Sequence, residues 1–433
     1  MKQLRHIVFL CFLLFPLAVN ALTLDEGLKI VVESGRDVRI AQSDEESARA
    51  GVSLARSPWL PWVDLYGRET WLQYQPKAIF SPNIPPVPIS QDQYLTYGIR
   101  ATQLLYDFGK TSSSISAAQY GVKAREIETQ RTKNQVAMDF IVSYLDLLES
   151  EKLLQVAGEE VTRYESHKKD AEAKFKAGVV TRNELLQADV TLSDSRQRYL
   201  TADNLRSIRA SKINSLLLRP LNDQFQAREV EASPAAGITL EQAWTVAESE
   251  NTDLKDLAAR IAAKEESVKT SQAEYLPTLY VSGGYEYLEN RYMEHQDNWS
   301  VIAGVNINLF AGGSSSSKVA IARSELRSFT LIRDKVLDNI RLAVKSAYLD
   351  LQSSTQKMDV TKAAVAQAEE NLRLQRLRYK EGVGTATEVL DAVTLMTTAE
   401  SNSWRALYGI KRAEASLLYS MGRDLAIVYG NTR

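Results

Sequence analysis

The sequence predicts a mainly α-helical chain with a smaller β portion, built from two copies of one unit. Three observations carry that expectation. Segments at a fixed offset resemble one another across the 433 residues. Two long stretches, Lys110 to Ala177 and Ser314 to Glu381, contain no proline and read as uninterrupted helices. Between the helical patterns the polarity period drops to two, the repeat of a β-strand.

Taken in order, the chain opens with Lys2 and Arg5 ahead of the apolar run Ile7 to Val19, and Val19-Asn20-Ala21 offers a small-residue cleavage site. Residues 1–21 therefore read as a secretory signal peptide, too short an apolar run to span a bilayer as a helix. The only cysteine, Cys11, would leave with it, so the mature chain has no thiol or disulfide. One Lys and one Arg would leave too, with no acid, taking the formal net charge from −2 to −4. No basic tract points to nucleic acid.

Leu24-Asp25-Glu26 and Leu240-Glu241-Gln242 open similar amphipathic segments, and Leu60-Pro61 matches Leu276-Pro277, at an offset of 216. Further on the offset is 204: Gly109 matches Gly313, Tyr144-Leu145-Asp146-Leu147 matches Tyr348-Leu349-Asp350-Leu351, and Gly178 matches Gly382. The copies are thus 22–237 and 238–433, and the first holds 12 additional residues. They fall in Gln75 to Pro88, expected to be a long exposed loop because its prolines lack the N–H that a ladder needs.

Each proline-free helix would be about 100 Å long, at about 1.5 Å per residue, and would need lateral partners along its length. Ala347, Leu351, Ser354, Met358, Thr361, Val365, Ala368, Leu372, Gln375 and Tyr379 alternate spacings of four and three, a coiled-coil seam. Strand alternation is clearest in Trp299, Val301, Ala303, Val305, Ile307 and Leu309, and in Leu279, Val281, Gly283, Tyr285 and Tyr287. Leu95, Tyr97, Ile99 and Ala101 repeat it, and Val63 to Tyr74 does so least regularly. The expected hairpins, about 63–106 and about 278–310, have strands of about 10 residues, the length of a tilted transmembrane strand. Four strands cannot close a barrel, and open edges are not tolerated in lipid, so several protomers would have to share one.

The long helices end in a repeated turn. Phe175 and Tyr379 each sit three residues before a glycine, Gly178 or Gly382, the pattern of a left-handed helix C-terminus. Thr181 with Glu184, and Thr385 with Glu388, then have the spacing of a capping box.

In this order and twice over, these features resemble the TolC family of outer-membrane efflux proteins, over essentially the whole mature chain. The resemblance also rests on Leu105-Tyr106-Asp107-Phe108-Gly109 with Leu309-Phe310-Ala311-Gly312-Gly313, on Arg378-Tyr379-Lys380-Glu381-Gly382, and on Glu388-Val389-Leu390-Asp391-Ala392. It implies a homotrimer with a twelve-stranded β-barrel in the outer membrane of a Gram-negative bacterium and an α-helical barrel in the periplasm. The implied function is a passive exit duct of a tripartite efflux or type I secretion system. A periplasmic adaptor would dock it to an inner-membrane transporter.

By position, Gly178, Val179 and Val180 with Gly382, Val383, Gly384 and Thr385 fall at the adaptor contact. Glu388 and Asp391 match the acids that line the periplasmic constriction. Their spacing of three puts both on one helix face, where a trimer would gather six carboxylates, a ring that favours cations. Glu388 is equally well read as the capping residue, whereas Asp391 is matched by Gln187 in the first copy and has no shared structural role. Gly384 stands where the family carries an arginine that helps hold the closed state, which puts that latch in doubt.

The inventory argues against an enzyme: only His167 and His295 follow the signal peptide, far apart, with no thiol. No metal or cofactor is expected. Gly109-Lys110-Thr111 lacks the earlier glycine of a phosphate loop, since position 104 is Leu104. The competing expectation is a secreted coiled-coil scaffold or adaptor whose strands are covered by protein.

Overall fold

The computed structural model describes residues 21–231, 234–235 and 237–430, so the expected signal peptide lies, apart from Ala21, outside the described residues. The first copy contains β1 (Ala21–Leu22), α1 (Leu24–Ser34), α2 (Arg36–Arg56), β2 (Trp62–Trp71), β3 (Lys77–Ala78), β4 (Val87–Pro88), β5 (Gln93–Tyr106), α3 (Lys110–Lys176), α4 (Arg182–Leu216) and β6 (Gln226–Ala227). The second contains α5 (Leu240–Glu250), α6 (Thr252–Gln272), β7 (Thr278–Leu288), β8 (Asp297–Asn306), α7 (Ser314–Lys380), α8 (Ala386–Ser420) and α9 (Leu425–Gly430). Helices of 11, 21, 67 and 35 residues recur in that order in both copies.

The chain divides into two compact units that cut across the copies, one of residues 39–132 and 248–341, the other of the remainder. The first unit holds an antiparallel sheet in the order β2-β5-β7-β8. Directly opposed residues share a face. Leu65, Ile99, Tyr285 and Trp299 therefore form one row across all four strands, flanked by Val63, Ala101, Gly283 and Val301. This apolar face is open to solvent, with Leu65 83% and Val301 82% exposed.

The opposite face is polar. Tyr66 donates to the Glu286 carboxylate at 2.6 Å, two strands away. Its ring lies across Gly98, where a Cβ would come within 2.8 Å of the phenol oxygen.

Three boundaries differ from expectation. β8 stops at Asn306, opposite Thr278, because Pro277 precedes its partner strand and has no N–H to extend the ladder; Ile307 and Leu309 lie beyond it. β2 ends at Trp71 rather than Tyr74. The proline-rich loop contains a two-residue ladder in which Pro88 pairs with Lys77. Proline removes a donor but not its carbonyl, and a ladder this short needs little more.

In the second unit, α1, α3, α8 and the β1–β6 pair share a core. The Tyr144 hydroxyl is fully buried, 2.8 Å from the Leu22 carbonyl, and accepts the Arg228 N–H at 2.8 Å, which ties both short strands to α3. Further along, Tyr164, Leu192, Leu372, Leu390, Val393 and Met396 bring α3, α4, α7 and α8 into one apolar cluster. Arg163 grips Glu400 through two bonds of 2.7 Å. The expected seam is the least exposed stripe of α7, with Ala347, Leu372 and Tyr379 buried and its other positions half-buried.

α1 lies so close to α3 that a Cβ on Gly27 would stand 2.0 Å from Phe140 Cζ, itself fully buried. Gly27→Ala should therefore cost about 1–3 kcal/mol through overpacking. Thermal unfolding followed by circular dichroism should show the loss, and adding Phe140→Leu should restore part of it. An unchanged midpoint in Gly27→Ala would mean that the contact is loose.

Candidate functional site

Both turns close their helices with the same backbone device. At the first, Gly178 adopts φ 72°, its N–H donates to the Phe175 carbonyl at 3.0 Å, and Val179 N–H donates to the Lys174 carbonyl at 2.9 Å. At the second, Gly382 adopts φ 79°, bonds the Tyr379 carbonyl at 3.2 Å, and Val383 N–H bonds the Arg378 carbonyl at 3.0 Å. These paired bonds satisfy the carbonyls that a helix end leaves free, and the left-handed φ suits a residue without a Cβ.

Gly384 N–H donates to Arg378 as well, at 3.1 Å, and a Cβ at Gly384 would sit 3.0 Å from Arg378 Cβ and from Tyr379 N. A side chain there would have to displace backbone. Val179 and Val383 lead out of the turns 66% and 70% exposed, whereas Val180 is half-buried.

The copies diverge where the next helix starts. Thr385 forms the complete capping box: its Oγ1 accepts the Glu388 N–H at 3.3 Å, and Glu388 accepts the Thr385 N–H at 2.8 Å. The expected box at Thr181 and Glu184 does not form. Thr181 makes no side-chain cap bond, and the Glu184 N–H donates to the Thr181 carbonyl at 3.2 Å.

The difference traces to one pair of equivalent positions. In the second copy the Arg378 guanidinium lies 3.6 Å from Glu388 and steadies its carboxylate. The residue at that place in the first copy, Lys174, turns the other way. Its ammonium donates to the Tyr379 carbonyl, reaches the Lys380 carbonyl at 3.5 Å and lies 4.4 Å from the centre of the Tyr379 ring. Among the described residues Glu184 has no cation to orient it, and Thr181, Arg182 and Asn183 are exposed, where water can satisfy the same donors.

Tyr379 is therefore the residue on which the turns converge. Tyr379 packs with Ala386 and Val389 at the start of α8, and its ring meets the His167 ring with centroids 5.2 Å apart. His167 is 4% exposed, and neither its Nε2 nor the Tyr379 hydroxyl has a hydrogen-bond partner. Burial pushes the His167 imidazole below its ordinary value; the Arg376 charge adds to that and Asp170 opposes it.

Sequence reasoning flagged Tyr379 as a helix-end aromatic and a seam residue and missed Lys174 and His167 as its supports. The available signal was weak: both residues sit on one face of α3, seven positions apart, with nothing local to name their partner.

The two acids of α8 differ in their surroundings. Glu388 is engaged by Thr385 and Arg378, and the Thr385 backbone N–H, with Arg378, holds its carboxyl below the usual range. Asp391 is exposed, one turn on, with no hydrogen bond or ion pair among the described residues. Among the same residues no group of His, Cys, Asp and Glu could hold a metal ion.

Comparisons with known proteins give a consistent picture. The family model described as outer membrane efflux protein matches residues 28–217 and 245–423. The alkaline protease secretion protein AprF of Pseudomonas aeruginosa is 24% identical, covering 100% of this chain and 92% of its own. The outer membrane efflux protein BepC of Brucella suis is 22% identical, covering 82% and 78%. The crystal structure of the outer membrane protein VceC from Vibrio cholerae superimposes with a TM-score of 0.78 over 93% of this chain and 96% of that one, at 15% identity. The mainly helical fold with an open four-stranded sheet is thus that of outer-membrane channel structures.

The two turns should respond differently to the same substitution. Thr385→Ala removes a formed cap and should cost about 0.5–2 kcal/mol, with faster hydrogen exchange at the Glu388 amide. Thr181→Ala removes no cap and should stay within about 0.5 kcal/mol of the parent. Equal losses at both positions would show that the first box forms as well.

Proposed function

The chain belongs to the outer membrane efflux protein family, and on that premise we propose that three copies close one twelve-stranded barrel and form a passive exit duct gated at the Gly178 and Gly382 turns. It is an outer-membrane protein, and its relatives are channels rather than enzymes. Family members work as trimeric channels within tripartite efflux or secretion systems.

The observation that carries the reading is the sheet. One face is apolar across all four strands, exposed on β2, β5 and β8 and half-buried on β7, and β2 and β8 each leave an edge without a strand partner among the described residues. Hydrocarbon accepts the face but not the edges, since an unpaired N–H or C=O in lipid costs several kcal/mol. Pairing β8 of one copy with β2 of the next removes every edge once the ring closes. The 12 additional residues of the first copy then fall between β2 and β5, in a loop with its own short ladder.

At the turns, the exposed Val179 and Val383 offer apolar side chains to a periplasmic adaptor, which would link the duct to an inner-membrane transporter. The free carboxylate of Asp391 is the better candidate for the constriction, since Glu388 is committed to the Thr385 cap and to Arg378. Three Asp391 side chains near one axis would favour cations over anions.

The purified protein should fractionate with the outer membrane, run as a detergent-stable trimer and conduct ions in planar bilayers. Asp391→Asn should lower cation selectivity, seen as a reversal potential displaced toward zero in a salt gradient, and should weaken block by divalent cations. Extraction in aqueous buffer as a monomer without conductance would overturn the channel reading in favour of a secreted coiled-coil scaffold. An unchanged reversal potential and block would remove Asp391 from the constriction.

A further inference from the structure

We propose that protonation of His167 loosens the clasp that Lys174, Tyr379 and His167 form between the two turns. The proposal rests on the channel reading and concerns the regulation of the same site.

Lys174 belongs to the first turn and Tyr379 to the second, so their contact is a bond between the two turns of one chain. The ammonium binds the carbonyl that closes α7 and also faces the Tyr379 ring, a charge-assisted bond plus a cation–π contact. His167 meets the same ring as a buried imidazole, with centroids 5.2 Å apart. Through Tyr379 this stack reaches Ala386 and Val389, which fix the start of α8 and with it Glu388 and Asp391.

Burial makes a proton on His167 costly. Of the charged neighbours, Asp170, one turn along α3, favours it and Arg376 on α7 opposes it. Lys174 stands against the Tyr379 ring, 4.4 Å from its centre. The nearby acid of α4, Asp189, is tied to Lys168 at 2.5 Å, and Glu184 acts on Tyr379. Glu388 on α8 is engaged at its cap.

A buried imidazolium with no acceptor on Nε2 would be relieved by moving Tyr379 and opening the site to water. In the open form the imidazole would bind a proton at its ordinary value near 6.5. The closed form, whose value is lower, thus keeps its full advantage above that pH and loses it as pH falls through it. Glu388 does not titrate with His167, because the Thr385 backbone N–H and Arg378 hold its carboxyl below the ordinary carboxylate range.

The test uses the full-length trimer in planar bilayers between about pH 7.5 and 5.5, a window set by the ordinary histidine range. The parent should open several-fold more often at the acid end. His167→Phe keeps a ring against Tyr379 and should abolish that response, and His167→Gln serves as a second neutral variant. Lys174→Met should raise opening at neutral pH while leaving an acid response. The His167 imidazole signal, assigned with a His295→Gln chain, should titrate below its ordinary value.

A His167→Phe channel that keeps the parental acid response, or an imidazole titrating at or above the ordinary value, would overturn the clasp alone. Absence of conductance from every chain at every pH would overturn the channel reading and the clasp with it.

Discussion

Unpaired backbone at the edges of the four-stranded sheet is the constraint on which the rest depends. In water an edge strand invites aggregation; in hydrocarbon it is excluded. One chain supplies β2, β5, β7 and β8 in a sheet that stays open, with a solvent-exposed apolar face. Closure must therefore come from further copies. The internal repeat follows the same economy, since each copy contributes one hairpin followed by a helix of 67 residues. Such helices gain little from intrinsic propensity and depend on side-by-side packing, which is why their half-buried stripe is made of small and medium side chains at spacings of four and three.

Much of this was legible in the sequence because the signals were repeated or strongly periodic. The helix ends at Lys176 and Lys380 follow from an aromatic and a glycine at fixed distance, a pattern that reports a backbone conformation directly. Strand faces were legible for the same reason: Trp299, Val301, Ala303 and Val305 stand on one side whatever they pack against. Strand ends were not. Whether a strand continues depends on the partner's backbone, so Pro277 truncates β8 from across the ladder while Ile307 and Leu309 keep the alternating pattern.

The site was legible in outline and illegible in its contacts. Spacing alone cannot separate Thr181 from Thr385, because a capping box needs its carboxylate held as well as within reach. Arg378 provides that for Glu388, and Lys174, its equivalent, is drawn away to the Tyr379 carbonyl. That choice is made about 200 positions away in sequence, beyond any local pattern. His167 was noticed only as one of two histidines and set aside with the enzyme readings. Its importance lies in burial without a partner, which composition and spacing do not report.

The same exchange gives the two turns unequal stability. At the second, Thr385 and Glu388 satisfy donors that α8 would otherwise expose, Arg378 pairs with the Glu388 carboxylate, and Gly384 lets the backbone close on Arg378. At the first, α4 begins without a side-chain cap, and Lys174 spends its charge on the neighbouring turn. Opening α4 by one turn thus breaks few protein contacts, whereas opening α8 breaks a box, an ion pair and the packing on Tyr379. The end of α7 is anchored by a cation from the first copy, so loosening the first turn also removes a support of the second. The two turns are coupled through one contact, Lys174 with Tyr379, which the second copy, with Arg378 committed to Glu388, does not duplicate.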